Sequence, residues 1–258
     1  MDAGHYGKYN RSPVVRDYYE SDFTWKFTLY EKAELEKYGF EVILTRTNKD
    51  KDLALVERGK SSKGCKVFIS NHTNACSSES VDHASVIYPV PFAFTDISEN
   101  KRLATMIANN VQNVLGLKEN SKIYNRLESY DRNKNGIKTD DEYYGVLHGS
   151  QLVNTPFRLI VEHGFHTNTA TAKKLLDDNI VKYLAMSEAK VIADFFGYAK
   201  KDEPIAEPKE VYHTVVKGDS LSKIAKAYGI ALATVKVLNP DVKAPLYIIR
   251  IGQKIRVK

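Results

Sequence analysis

Four residues in this sequence combine reactive side chains with suggestive positions: His5, Glu20, His72 and Glu162. His5 closes the run DAGH, at the expected end of a first strand. His72 directly follows the apolar run CKVFISN (65–71), and Glu162 ends FRLIVE (157–162), which Pro156 opens. In an open parallel sheet, sites form outside the carboxyl ends of the strands. Three candidate residues fall there independently. Glu20 opens an amphipathic helix, where the positive end of the dipole keeps a carboxylate ionised. Two neutral imidazoles and one carboxylate match an open catalytic site for one Zn2+ ion, its fourth position left for a water whose pKa the metal lowers. A further carboxylate nearby could take that water's proton. Each residue alone also has a plainer reading, because a histidine after a strand is commonly a satisfied turn residue and a glutamate at a helix start serves the dipole. The hydrolase motif HExxH is absent. In EHGFH, His163 and His166 compete for the same site. Alternate residues of a strand face opposite ways, so Glu162 and His163 cannot share a pocket without a bend. His163 is read as packing or as support behind the site, and His166 as a loop residue near it.

The elements that must carry these residues alternate along the chain. FEVILTR (40–46), CKVFISN (65–71) and FRLIVE (157–162) read as strands. Residues 20–38 read as a helix with Phe23, Phe27 and Tyr30 on one face, stopped by Gly39. A second helix starts from a cap at Ser98, carries Leu103, Met106, Ile107, Val111 and Val114, and ends at Gly116. A third covers 171–196 and closes at Gly197. Strands alternating with helices predict an α/β fold over residues 1–199, an open, largely parallel twisted sheet flanked by helices. Residues 200–210, KKDEPIAEPKE, hold two prolines and seven charges with little apolar content and read as a linker. Residues 211–258 form a second, small domain.

Composition limits the function classes. The chain has 258 residues, 43% hydrophobic and 27% charged, with a net charge of +6. Residues 211–258 carry nine Lys/Arg and two Asp, so the remainder is nearly neutral. A basic module suits a polyanionic surface, but residues 1–210 show no basic stripe, which argues against a nucleic-acid enzyme. No apolar run is long enough for a transmembrane helix, so no membrane partner is expected. The opening MDAGHYGKYN lacks the pattern of a secretory signal, so release by lysis or a non-classical route is expected. Two cysteines, Cys65 and Cys76, cannot build a disulfide framework or a thiolate zinc site. A second metal pattern, D-x-[DN]-x-[DN]-G-x5-E, runs from Asp131 through Asn133, Asn135 and Gly136 to Glu142 and would suit Ca2+. Lys138, where such loops carry an apolar residue, and flanks that read poorly as paired helices weigh against it.

DAGH (2–5), ESDF (20–23), the VILTR strand, FISNHTNA (68–75) and LIVEHGFHTN (159–168) resemble the zinc-dependent N-acetylmuramoyl-L-alanine amidases of the amidase-3 family. The motifs appear in the family's order over about residues 1–198. The resemblance implies zinc held by His5, Glu20 and His72, with Glu162 as the catalytic carboxylate. It further implies cleavage of the amide between N-acetylmuramic acid and the L-alanine of the peptidoglycan stem peptide. EYYGVLHGS (142–150), with EHGFHTN, resembles the endolysin and spore-associated branch, so an endolysin or autolysin acting at the bacterial cell wall is expected. Family members carry several apolar residues ahead of DAGH, where this sequence has only Met1, so either the natural start lies upstream or the first strand is truncated. Residues 211–258 resemble a LysM domain through GDSLSKIA (218–225), Asn239-Pro240 and IRIGQKIRV (249–257). That implies a βααβ module binding glycans that contain N-acetylglucosamine, in a groove formed by Gly218, Asp219, Ser220, Ile249 and Ile251. Two other functions remain in view: a zinc endopeptidase cutting within the stem peptide, and an inactive wall-binding protein. Retention of all four imidazole and carboxylate positions disfavours the second.

Overall fold

The computed structural model describes residues 1–92, 95–137, 140–200, 211–239, 241–242 and 247–257. The linker expected at 200–210 lies, apart from Lys200, outside the described residues. The chain divides into two compact units, Met1–Lys201 and Asp202–Lys258.

In the first unit the strands are β1 (Asp2–Ala3), β2 (Val67–Asn74), β3 (Ser85–Ile87), β4 (Lys122–Tyr124) and β5 (Phe157–Phe165). The helices are α1 (Glu20–Lys37), α2 (Leu55–Lys60), α3 (Ile97–Leu115), α4 (Gly145–Leu152), α5 (Thr169–Leu176) and α6 (Asp178–Phe196). The sheet order is β1-β2-β5-β3-β4. Only the β3–β5 pairing is antiparallel; the other three are parallel. The expected α/β architecture is therefore present, as a mixed and mostly parallel sheet.

Alternation along the central strands explains the layers. Ile69 of β2 with Leu159 and Val161 of β5 join one core, together with Phe23 and Phe27 of α1, Leu103 and Ile107 of α3, and Leu184 and Ile192 of α6. Phe68 and Ile160 face the other way and pack with Val146 and Leu147 of α4. The second face is covered by the short pair α2 and α4. There Gly59 and Gly149 let the backbones touch: a Cβ on Gly149 would stand 2.1 Å from the Val56 carbonyl oxygen.

Four expectations about the elements need correction. The apolar run 40–46 is not a strand. Its backbone bonds beside β1 are the Met1 amine to Ile43 O and Thr45 N to Met1 O, and its bonds to β1 itself come from side chains, Thr45 to Asp2 and Arg46 to Ala3 O, because two strand residues offer too short a ladder. The runs 65–71 and 157–162 do not end at their reactive residues: β2 continues to Asn74 and β5 to Phe165, with a register shift between His72 and Asn74. The helix over 171–196 is two helices, because the Asp177 carboxylate accepts from Asn179 N and Ile180 N and starts α6 afresh. The helix before Gly116 is capped by Asp96, which accepts from Glu99 N; Ser98 lies inside it.

The second unit runs β6 (Tyr212–Thr214), α7 (Leu221–Ala227), α8 (Leu232–Leu238) and β7 (Lys254–Arg256), with β6 and β7 antiparallel. This is the expected βααβ order. Val215, Leu221, Ile224, Val235, Ile255 and Val257 make its core. Asn239 ties the module together: its amide donates to Val235 O and Arg256 O, and its carbonyl accepts from Arg256 N.

Candidate metal centre

β1, β2 and β5 run parallel and bring their C-terminal ends to one edge of the sheet. His72 and Glu162 are register partners across β2 and β5, so their side chains share a face. His5 lies two residues beyond β1 in the left-handed region, φ 57°. A non-glycine residue holds that conformation only where its surroundings impose it. Here Arg58 donates to His5 O at 3.2 Å and to Ala3 O at 3.0 Å, while Arg46 donates twice to Ala3 O. Both arginines are buried. Gly4 has a different task. A Cβ there would stand 2.3 Å from Cε1 of His72, so the absence of a side chain admits the imidazole over the β1 backbone.

Glu20, the first residue of α1, reaches both histidines. Its Oε2 lies 3.2 Å from His5 Nε2 and its Oε1 lies 3.0 Å from His72 Nδ1. Thr73 N donates to Oε1 at 3.0 Å, and Asn10 Nδ2 donates to Oε2 at 2.7 Å. The ligand atoms of His5, Glu20 and His72 lie within 4.8 Å of one another, a group able to hold a metal ion. Its electrostatics favour a cation. Burial raises the Glu20 carboxyl, but hydrogen bonds with His5 and His72 outweigh that and hold it well below the usual range. Burial lowers His72, but the Glu20 hydrogen bond and charge push it up to about 9. Burial pushes Glu162 up to about 7, opposed by His72 and reinforced by Glu20. Glu162 Oε2 is buried without a hydrogen-bond partner. A cation at the triad would give that carboxyl group a favourable neighbour, so the residues fit a bound metal.

His163 lies on the opposite face of β5, packed against Phe23 and Phe27, with Nε2 3.0 Å from Glu188 and Nδ1 3.0 Å from His72 O. His166 sits past the end of β5. Its Nδ1 is 3.0 Å from Thr73 Oγ1, and its ring stacks on Tyr18. Asn10, Arg46, Arg58 and Thr73 went unread in the sequence. Their roles are hydrogen bonds across distant segments, for which no local spacing exists.

The calcium pattern does not assemble. Glu142 turns inward, accepting from Val90 N at 2.9 Å and standing 3.7 Å from the buried Arg158 guanidinium. The Asp131 oxygens accept from Asn135 N and Gly136 N, and Asp141 accepts from Asn133 N. The oxygens are used to shape a turn, and the closing carboxylate already has a cation. Lys138 lies outside the described residues. Cys65 and Cys76 are both free.

In the second unit, Val215 N donates to Gln253 O and Gly252 N to Val215 O, placing the 249–252 turn beside the segment that leads into Gly218–Ser220. Gly218 has φ 96°. Asp219 accepts from Val216 N and pairs with His213, and Ser220 caps α7. Ile249 packs on the module core, while Ile251 is exposed.

A mostly parallel sheet with a carboxylate–imidazole cluster able to hold a metal ion at its strand ends, joined to a βααβ module, defines a two-module α/β protein. Residues 1–194 match the family of N-acetylmuramoyl-L-alanine amidases, and residues 213–258 match the LysM domain; the chain belongs to that amidase family. It is a peptidoglycan hydrolase of that activity with a wall-binding module, and it acts at the cell wall. Solved structures share the fold. The catalytic domain of CwlV, an N-acetylmuramoyl-L-alanine amidase from Bacillus (Paenibacillus) polymyxa var. colistinus, is 21% identical, with TM-score 0.59, over 77% of this chain and 97% of that one. Cwp6 from Clostridium difficile is 24% identical, with TM-score 0.61, over 75% of this chain but 28% of its own. AmiC2 of Nostoc punctiforme is 21% identical, with TM-score 0.59, over 76% and 94%. Comparison with curated proteins gives no match. Among the described residues no helix is long and apolar enough to cross a membrane.

Proposed function

We propose that this amidase works through one zinc ion held by His5, Glu20 and His72, with Glu162 as general base, on the amide between N-acetylmuramic acid and L-alanine. The observation that carries the reading is the triad itself, two imidazoles and one carboxylate, beside a buried carboxyl oxygen that lacks a partner. Zinc, when bound, supplies Lewis acidity toward the amide carbonyl and toward water. The chain's own residues supply the rest. Glu20 bridges both imidazoles and fixes their orientation; Arg58 and Gly4 fix the backbone of His5 and the ring of His72. Glu162, raised to about 7 by burial, is matched to accept a proton from water and return it to the leaving amine near neutral pH. In the LysM module, the groove is assigned to Gly218, Asp219, Ser220, Ile249 and Ile251. Asp219 and Ser220 spend their side chains on the turn and the helix cap, so the groove there offers backbone groups and the exposed Ile251.

The test is digestion of purified peptidoglycan with the metal-stripped and the zinc-reloaded protein. The expected product is new N-terminal L-alanine on released stem peptides, with no new reducing ends, only in the reloaded sample. Other new amino termini with intact lactyl amides would establish an endopeptidase. Full hydrolysis by the metal-free protein would overturn the zinc reading.

A further inference from the structure

Asn10 belongs to none of the recognised motifs, yet its side chain meets two members of the triad. Its amide atom Nδ2 stands 2.7 Å from Glu20 Oε2 and 3.1 Å from His5 Nε2, and those two atoms are 3.2 Å from each other. Donors bonded at 2.0–2.1 Å around a tetrahedral zinc are separated from one another by about 3.3 Å. Asn10 therefore stands within hydrogen-bond distance of two ligand atoms, somewhat inside the spacing of a further ligand, so a small outward shift of the side chain reaches it.

Its backbone is fixed to the same group. Asn10 O accepts from Glu20 N at 2.9 Å, tying residue 10 to the first residue of α1. Asn10 also holds φ 50°, in the left-handed region that asparagine tolerates better than most residues. The side chain is exposed, so it is free to leave.

An amide has a donor end and an acceptor end of the same shape. With the Glu20 carboxylate oxygen in front of it, the donor end faces inward, as here. With a cation at the triad that oxygen's lone pair is taken, an inward N–H is repelled, and a half-turn about the terminal torsion presents Oδ1. We propose that Asn10 is an exchangeable fourth donor to the metal, its amide oxygen occupying the open position until water or a substrate carbonyl displaces it. This rests on the zinc reading above.

The test uses the full chain and two variants. Asn10→Gly removes the donor and relieves the positive φ; Asn10→Asp keeps an oxygen. Zinc affinity is read by competition with a chromogenic chelator, and access to the open position by titrating the cobalt-substituted protein with azide. The zinc dissociation constant of Asn10→Gly should rise at least about tenfold. Azide should bind its cobalt form more tightly by the same factor, because the closed fraction that taxed azide is the fraction that favoured the metal. Asn10→Asp should hold zinc at least as tightly as the parent and resist azide. Unchanged constants, tighter zinc in Asn10→Gly, or an Asp variant that behaves like the Gly variant would each overturn the assignment. If the parent chain binds no zinc, the zinc reading falls and Asn10 with it. If it binds zinc with the same constants as both variants, only Asn10 falls.

Discussion

Glu162 combines two properties that rarely coexist in a surface carboxylate: one oxygen sealed from solvent without a partner, and a pKa raised to about 7 by that burial. The raised value means the proton is held more tightly than in water, so the basic form is lost as pH falls through it. A cation at the triad would lower the value, so the acidic limb of the rate profile should lie at or below pH 7. Glu162→Gln should keep its zinc, lose about 10²–10⁴ in turnover, and lose that limb. Elemental analysis together with a pH–rate series on a soluble muropeptide checks this. Loss of zinc from the variant would make Glu162 a ligand, and unchanged turnover would remove it from the mechanism. At this scale the sequence was highly legible. His72 and Glu162 sit on strands, and His5 just beyond one, whose direction alone sends them to one edge, and Glu20 sits at a helix start. What could not be read was what steadies them. Arg58 crosses from α2 to the His5 carbonyl, and Gly4 is required by a ring 68 positions later in the chain. Neither relation leaves a period or a spacing.

At the scale of elements, long amphipathic segments were legible and short ones were not. α1 was found to within a residue of its end, because its apolar positions recur and Gly39 follows. β3 and β4 have three residues each, too few for an alternation to stand out, and were missed. The run 40–46 has strand composition but lacks a neighbour long enough to pair with. Asp177 divides a helix whose apolar period continues unbroken on either side. The pair α2 and α4, also missed, is held by backbone contact at Gly59 and Gly149. An added methyl at 149 meets the Val56 carbonyl and cannot be accommodated by a rotamer change, so the helices must part. Gly149→Ala should therefore destabilise the first unit by about 1–3 kcal/mol, read as a shift in urea midpoint. Leu152→Ala, on the exposed side of the same helix, should stay within about 0.5 kcal/mol. If both variants melt alike, the glycine contact does not hold this pair. α4 covers the face that carries His72 and Glu162, so a parted pair should also lower zinc affinity in Gly149→Ala.

At the scale of the whole molecule, the two modules differ in charge and in what they recognise. The first 210 residues are close to neutral, whereas residues 211–258 carry seven net positive charges. Two forces could hold such a module to the wall: attraction to anionic polymer, or a neutral sugar groove. They respond differently to salt, because the Debye length falls from about 10 Å at 0.1 M to about 3 Å at 1 M. A groove of backbone groups and an apolar side chain is insensitive to that change. Tethering a wall-binding module to a catalytic one raises the local enzyme concentration without touching the chemistry. Deleting residues 211–258 should therefore weaken binding to insoluble peptidoglycan and slow its hydrolysis, while turnover on a soluble muropeptide stays unchanged. The intact chain should remain bound in 0.5 M NaCl and be released by soluble N-acetylglucosamine oligomers. Elution by salt alone would make the module's charge, and not the Gly218–Ser220 and Ile249–Ile251 turns, the anchor. Loss of activity on the soluble muropeptide would mean that the module takes part in the chemistry itself.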